Sequence, residues 1–220
     1  MTMAANIIIC LVIGYLFGSF STGYIMGKRQ KIDIRDYGSG NAGTTNAFRT
    51  MGKKAGIITF IGDFVKVILA ILLVRLVIFR DMPDTKLLEL ITAFGCVLGH
   101  NFPVWLHFHG GKGIAVTGGA FLVLDPWILP VGLPLFAITV LVTKYVSLGS
   151  LALVTLFPIW ISIRFRGCDY YPACVAVAAL FTILAFYKHR ANIKRLLNGT
   201  ENKIGQHVNI NENKEVSEVK

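Results

Sequence analysis

Residues 56–79 read Gly56-Ile57-Ile58-Thr59-Phe60-Ile61-Gly62-Asp63-Phe64-Val65-Lys66-Val67-Ile68-Leu69-Ala70-Ile71-Leu72-Leu73-Val74-Arg75-Leu76-Val77-Ile78-Phe79. A helix needs about 17 to 25 largely apolar residues to cross roughly 30 Å of hydrocarbon, and this run supplies them. In lipid only helices and closed barrels satisfy every backbone N–H and C=O, so the stretch predicts a membrane-spanning helix. Asp63, Lys66 and Arg75 stand inside it. Ionisable groups within a span are functional candidates by default. The spacing of Asp63 and Lys66 also lets the two pair with each other on one helical face.

Further apolar runs lie on both sides, at Ala4–Ile25, Leu87–Leu106, Ile114–Leu124, Ile128–Val142, Leu148–Ile163 and Pro172–Tyr187. With 54% hydrophobic and only 15% charged residues, the chain is too apolar for an ordinary soluble domain. The expected fold is all-α: a polytopic integral membrane helix bundle of about seven membrane segments. Ile114–Leu124 is too short to cross alone, so a five-span count is the alternative. The first run lacks a charged start and a convincing cleavage site and is read as a retained helix, not a signal peptide. Residues 1–204 form the expected membrane domain. Residues 205–220 are polar and aperiodic, as in a disordered tail. No internal repeat is evident.

The formal net charge of +10 invites a nucleic-acid partner, but its placement follows the membrane instead. In the seven-segment reading, fourteen Lys or Arg fall in the gaps 28–55, at Lys112, at Lys144 and in 188–203, against four in the alternate gaps. Cytoplasmic loops carry the excess of Lys and Arg, which predicts the N-terminus outside and the C-terminus inside. Merging the fourth and fifth segments would move Lys144 and reverse everything after it. Cys10, Cys96, Cys168 and Cys174 lack CxxC spacing, so they read as small core residues and not as a disulfide framework or thiolate metal site.

In the seven-segment reading all three polar, glycine-rich clusters fall on the cytoplasmic side. Gly38, Gly40 and Gly43 match G-x-G-x-x-G, but that fingerprint has meaning only between a strand and a helix of a βαβ unit. What remains is a backbone able to curl its N–H groups toward one anion, with Ser39, Asn41, Thr44, Thr45 and Asn46 as side-chain donors and Arg49 as a bidentate fork. The plain alternative is a flexible loop with a basic juxtamembrane edge. Gly110-Gly111-Lys112-Gly113 is not a Walker A loop, since Leu106 and Gly113 stand where that pattern needs Gly and Ser or Thr. Three glycines around a lysine, followed by a helix opening at Ile114, still make a phosphate cradle. His107 and His109 lack a third ligand at suitable spacing, so no metal is expected. His100 reads as a hydrogen-bonded helix residue. Ser147 and Ser150 open an apolar helix, where Ser is a common cap. His189 and Asn192 share one helical face and can reach one ligand, while Arg190, Lys194 and Arg195 fit a basic collar for anionic lipid.

Taken together, these motifs make the chain resemble the bacterial membrane acyl-phosphate:glycerol-3-phosphate acyltransferases of the PlsY type. The likeness rests on Ser39-Gly40-Asn41, Thr45-Asn46 and Arg49, on Gly99-His100 with Pro103 and Gly110–Gly113, on Ser147-Leu148 with Ser150, and on His189-Arg190 through Arg195 with Gly199 and Glu201. It implies transfer of a fatty acyl group from acyl phosphate to the 1-hydroxyl of sn-glycerol 3-phosphate, giving lysophosphatidic acid and inorganic phosphate, the first acylation step of phospholipid synthesis. It implies a multi-pass protein of the bacterial inner membrane, no cofactor, membrane lipids around it, and a soluble acyl-phosphate-forming acyltransferase of the PlsX type as partner.

Carried over residue by residue, Gly110, Gly111, Lys112 and Gly113 become the glycerol-phosphate cradle, with His189 and Asn192 as further contacts. Ser39, Asn41, Asn46 and Arg49 line the reacting centre, with Thr45, Ser147 and Ser150 nearby. Acyl phosphate is already activated, so direct attack is favoured over a covalent enzyme intermediate. His189 as general base and Ser39 as nucleophile follow in that order. Ala191 departs from the family's glutamate, so no role of that carboxylate is carried over. Two other classes stay open: an anion or phosphate transporter with Asp63, Lys66 and Arg75 along a path, and a lipid-binding scaffold.

Overall fold

The computed structural model describes residues 2–206, so nearly all of the expected tail lies outside the described residues. The chain forms α1 (Met3–Ser19), α2 (Thr22–Arg29), α3 (Thr44–Leu73), α4 (Lys86–Asn101), α5 (Ile114–Leu124), α6 (Leu129–Thr143), α7 (Val146–Arg164), α8 (Tyr171–Lys188) and α9 (Arg190–Leu197). A π-helical turn at Val74–Ile78 prolongs α3, and Gly52, with φ 83°, bends α3 near its start. Among the described residues there is no strand.

Among the described residues six helical stretches are long and apolar enough to cross a membrane: Met3–Arg29, Thr44–Ile78, Lys86–Leu106, Pro126–Thr143, Val146–Arg164 and Tyr171–Lys188. The fourth expected segment is helical but, at eleven residues, covers only about 16 Å.

Its direction is nevertheless that of a crossing. At its far end Asp125 accepts from Arg164 Nε at 2.7 Å, at the end of α7. Asp169 N donates to Asp84 Oδ2 at 3.2 Å, and Asn6 Nδ2 approaches Met82 Sδ at 4.0 Å. One end of the bundle therefore gathers the start of α1, the turn at 79–85, Asp125 and the turn at 165–170. The opposite end holds the three polar clusters. Ile204 N donates to Lys144 O at 2.8 Å, which puts Lys144 at that polar end and excludes the arrangement in which the fourth and fifth segments merge.

Packing explains which residues face inward. The buried stripe of α1 is Asn6, Cys10, Gly14 and Gly18, spaced four apart, while Ile8, Val12 and Leu16 point outward as apolar surface. Small residues let helices approach closely in a membrane. A Cβ on Gly14 would lie 2.1 Å from Thr92 O, and one on Gly99 would lie 2.1 Å from Tyr15 O. α4 is accordingly the central helix, buried along most of its length. Phe121, Phe157 and Phe181 stack between α5, α7 and α8, with centroid separations of 4.6 and 5.1 Å. The four cysteines are free and buried, in keeping with their reading as small core residues.

Candidate active site

At the polar end three helices begin around one cavity of about 250 Å³. Gly43, Thr44, Thr45 and Asn46 bring the start of α3, Gly113, Ile114 and Ala115 that of α5, and Val146 and Ser147 that of α7. The first turn of a helix leaves N–H groups without intrahelical partners and carries partial positive charge, so an anion is stabilised where such turns converge. Gly113 has φ 81°, and a Cβ there would lie 2.8 Å from Val97 Cγ1, so this entry into α5 requires glycine.

Cationic side chains reinforce the site. Lys112 and Arg49 both line the cavity, as do Ser39, Asn41, Ser147, Ser150, His189, Asn192 and Glu201. Burial, with the neighbouring Arg195 and Arg49 charges, lowers the Lys112 ammonium from its ordinary 10.5 to about 8, against the opposing pull of Glu201. Burial also pushes His189 down from 6.5 to about 4, and the Lys112 charge adds to the effect. The His189 ring is anchored by Nδ1–H donation to Ala185 O at 2.7 Å. That leaves Nε2 as the acceptor.

Glu201 organises the wall opposite α3. Its Oε1 accepts from Ser147 Oγ at 3.0 Å and Asn192 Nδ2 at 2.7 Å, and its Oε2 accepts from Arg195 Nε at 2.8 Å. Asn192 in turn accepts from Lys112 Nζ. Arg49 Nη2 donates to Asn202 O at 3.4 Å, so α3 is tied to the same segment.

Several expected site residues serve as scaffold. Asn46, nearly fully buried, donates to Ile34 O and Tyr37 O at 3.1 and 3.0 Å and accepts from Ser39 N at 2.9 Å, which places Ser39 at the cavity edge. Asn41 Nδ2 donates to Gly110 O at 3.2 Å and bridges the first two polar clusters. Ser150 Oγ is spent on Val146 O at 2.9 Å. Gly110 and Gly111 do not line the cavity; they pack on Pro103 and His100. Thr45 lines it, while His107 and His109 do not.

The intramembrane charges separate into two groups. Lys66 Nζ lies 2.9 Å from Asp63 Oδ1, as their spacing suggests, and also 2.9 Å from His100 Nδ1. Arg75 belongs elsewhere: its Nε donates to Glu89 Oε1 at 2.8 Å. The three charges singled out in the sequence therefore form no single path.

The cavity continues into an apolar wall of Phe60, Phe64, Phe121, Leu129, Leu133 and Phe136, supplied by α3, α5 and α6. One enclosure thus joins a polar, cationic end to a hydrocarbon-lined one.

A family model described as Glycerol-3-phosphate acyltransferase matches residues 8–199. This chain belongs to the glycerol-3-phosphate acyltransferase family. Similar acyltransferases include that of Clostridioides difficile (strain 630), 46% identical over 201 residues, covering 90% of this chain and 96% of the relative. The glycerol-3-phosphate acyltransferase of Bacillus subtilis (strain 168) is 41% identical over 199 residues, covering 90% of this chain and 97% of its own. The crystal structure of PlsY (YgiH), an integral membrane glycerol 3-phosphate acyltransferase in its glycerol 3-phosphate form, superposes with a TM-score of 0.80. It is 30% identical, with 90% of this chain and 96% of that chain covered. Its lysophosphatidic acid form gives a TM-score of 0.78.

Two features of this cavity were not assigned from sequence. Glu201 as the hub had one available signal, as the only acidic residue in the basic stretch 188–203. The apolar wall had none, because apolar residues in spans that face a cavity look the same in sequence as those that face lipid.

Proposed function

We propose that this acyltransferase moves a fatty acyl group from acyl phosphate to the 1-hydroxyl of sn-glycerol 3-phosphate, producing lysophosphatidic acid and inorganic phosphate. The observation that carries the reading is the single cavity in which helix N-termini and two cations meet an apolar wall. Two phosphorylated substrates need two anion contacts, and the acyl tail needs a dry wall beside them.

Lys112, the start of α5, His189 and Asn192 form the contact set for glycerol 3-phosphate. Arg49 and the start of α3, with Ser39 at its edge, receive the phosphate of the acyl donor. The 1-hydroxyl oxygen attacks the acyl carbonyl carbon, a C–O ester bond forms, and the bond from that carbon to the phosphate oxygen breaks. The hydroxyl proton passes to the departing phosphate. Positioning and preorganised positive charge then supply the rate acceleration, because the donor is already activated. A His189 with pKa about 4 is a weak base, so its role is to accept a hydrogen bond from the hydroxyl and orient it. Among the described residues Ser39 Oγ has no base partner, which disfavours a covalent serine step. The reaction needs no cofactor.

The basic polar end faces the cytoplasm of the bacterial inner membrane, with the N-terminus outside. A soluble PlsX-type acyltransferase supplies the acyl phosphate there, and the product enters phospholipid synthesis.

The test is purified protein in detergent with palmitoyl phosphate or palmitoyl-CoA and labelled glycerol 3-phosphate. Lysophosphatidic acid and stoichiometric phosphate from palmitoyl phosphate alone are expected. Product from palmitoyl-CoA alone, or none from either by folded protein, overturns the donor assignment.

A further inference from the structure

Beneath the loop that carries Lys112 lies a buried polar cluster that the reaction above leaves unused. Asp63, Lys66 and His100 are 1%, 6% and 3% exposed. The Lys66 ammonium has three protons and three acceptors: Phe20 O at 2.8 Å, Asp63 Oδ1 at 2.9 Å and His100 Nδ1 at 2.9 Å. The same Nδ1 lies 3.5 Å from Asp63 Oδ1, so both charged groups face one edge of the ring, and when Nδ1 accepts from Lys66 the ring proton sits on Nε2. Among the described residues Nε2 has no hydrogen-bond partner, and it abuts the loop so closely that a Cβ on Gly111 would lie 1.9 Å away.

The same residue holds the loop through its backbone. Gly111 N donates to His100 O at 2.9 Å, and Gly110 N donates to Asn101 O at 3.3 Å. Asn101 O also accepts from Lys188 Nζ at 2.9 Å, which pins this end of α4 to α8. Asp63 and His100 both line the cavity that Lys112 also lines. Stability alone does not account for such a cluster, since apolar residues of similar size commonly replace a buried ion pair without loss of stability.

We propose that His100 is a positioning residue for the loop Gly110–Gly113: Lys66 and Asp63 set its ring, the ring sets Gly111, and Gly111 sets the reach of Lys112 toward the substrate phosphate. The inference rests on Lys112 holding glycerol 3-phosphate, as read above. It predicts a binding defect confined to that substrate.

Two variants test it. His100→Asn keeps an acceptor for Lys66 but removes the ring edge beneath Gly111. The double variant Asp63→Asn with Lys66→Met keeps the ring and removes the groups that orient it. In each, the KM for glycerol 3-phosphate should rise about 10-fold, the worth of one misplaced charged contact. The KM for acyl phosphate should stay within about 2-fold, with helicity and thermal unfolding unchanged. An unchanged KM for glycerol 3-phosphate in folded protein, a parallel rise of both KM values, or failure of both variants to fold would each overturn the proposal. If the wild-type protein shows no turnover, the reaction reading fails on its own. Binding of inorganic phosphate, expected to weaken by a similar factor in both variants, still decides the role of His100.

Discussion

Lys112 Nζ donates to Asn192 Oδ1 across eighty positions of sequence, and Asn192 Nδ2 donates onward to Glu201 Oε1. The Gly110–Gly113 loop and the segment around Asn192 and Glu201 are thus parts of one wall, and the cation is aimed by an amide that is itself held by a carboxylate.

Glu201→Ala removes the acceptor of three side chains on two helices. Each hydrogen bond to a charged group is worth about 1.5–3 kcal/mol, so the variant should melt well below wild type and lose at least about 10-fold in kcat/KM for glycerol 3-phosphate. Thermal unfolding in detergent with steady-state kinetics checks both. Wild-type values for either would remove Glu201 from this chain of contacts.

The pH dependence should show His189 and Lys112 at its limbs. Neutral His189 and charged Lys112 coexist between about 4 and about 8, so kcat/KM should rise through the lower value and fall through the upper one. For stability, unfolded His189 titrates at 6.5 and folded His189 at about 4, so the unfolded chain binds more protons in that window and stability falls as pH drops through it. Lys112 acts likewise between about 8 and 10.5, where stability rises with pH. An anion beside Lys112 restores its proton, so phosphate binding near pH 8 should take up protons, measurable by calorimetry in buffers of different ionisation enthalpy.

Arg49→Lys keeps the charge but loses the two-pronged fork. A drop of about 10-fold or more in kcat/KM for acyl phosphate is expected, with little change in the KM for glycerol 3-phosphate. Unchanged kinetics would take Arg49 out of the site.

Gly118 and Gly119 are adjacent but differ in what surrounds them. A Cβ on Gly119 would lie 2.4 Å from Phe64 O, whereas one on Gly118, which lines the cavity, meets only Phe64 ring carbons at 3.7 and 3.9 Å. Gly118→Val should therefore fold and shorten the preferred acyl chain, read as kcat/KM across a homologous series of saturated acyl phosphates. An unshifted optimum would place the tail elsewhere.

Glu89→Gln tests the other intramembrane pair. Glu89 is 3% exposed and also accepts from Thr85 Oγ1 at 2.6 Å. Stripping the charge from a buried pair costs about 3 kcal/mol, so the variant should unfold earlier while both KM values stay at wild type. A selective kinetic defect would connect Arg75 to catalysis.

The sequence by itself determined the class of fold, because a run such as residues 56–79 can satisfy its backbone in lipid only as a helix, and hydropathy carries that information locally. It also placed the glycine, asparagine and cation clusters in gaps on one side of the membrane, because the Lys and Arg bias follows the order of the apolar runs. Only the tertiary structure decided which of those groups are already engaged within the protein. Asn46 is consumed by Ile34 and Tyr37, Ser150 by Val146, and Gly110 and Gly111 by Pro103 and His100. Lys66 pairs with Asp63 as their spacing suggests, but its contact with His100 and the partner of Arg75 were undecided until α4 brought His100 and Glu89 beside them. Hydropathy is a property of one segment, whereas a hydrogen bond or an ion pair across the bundle depends on how helices distant in sequence pack together.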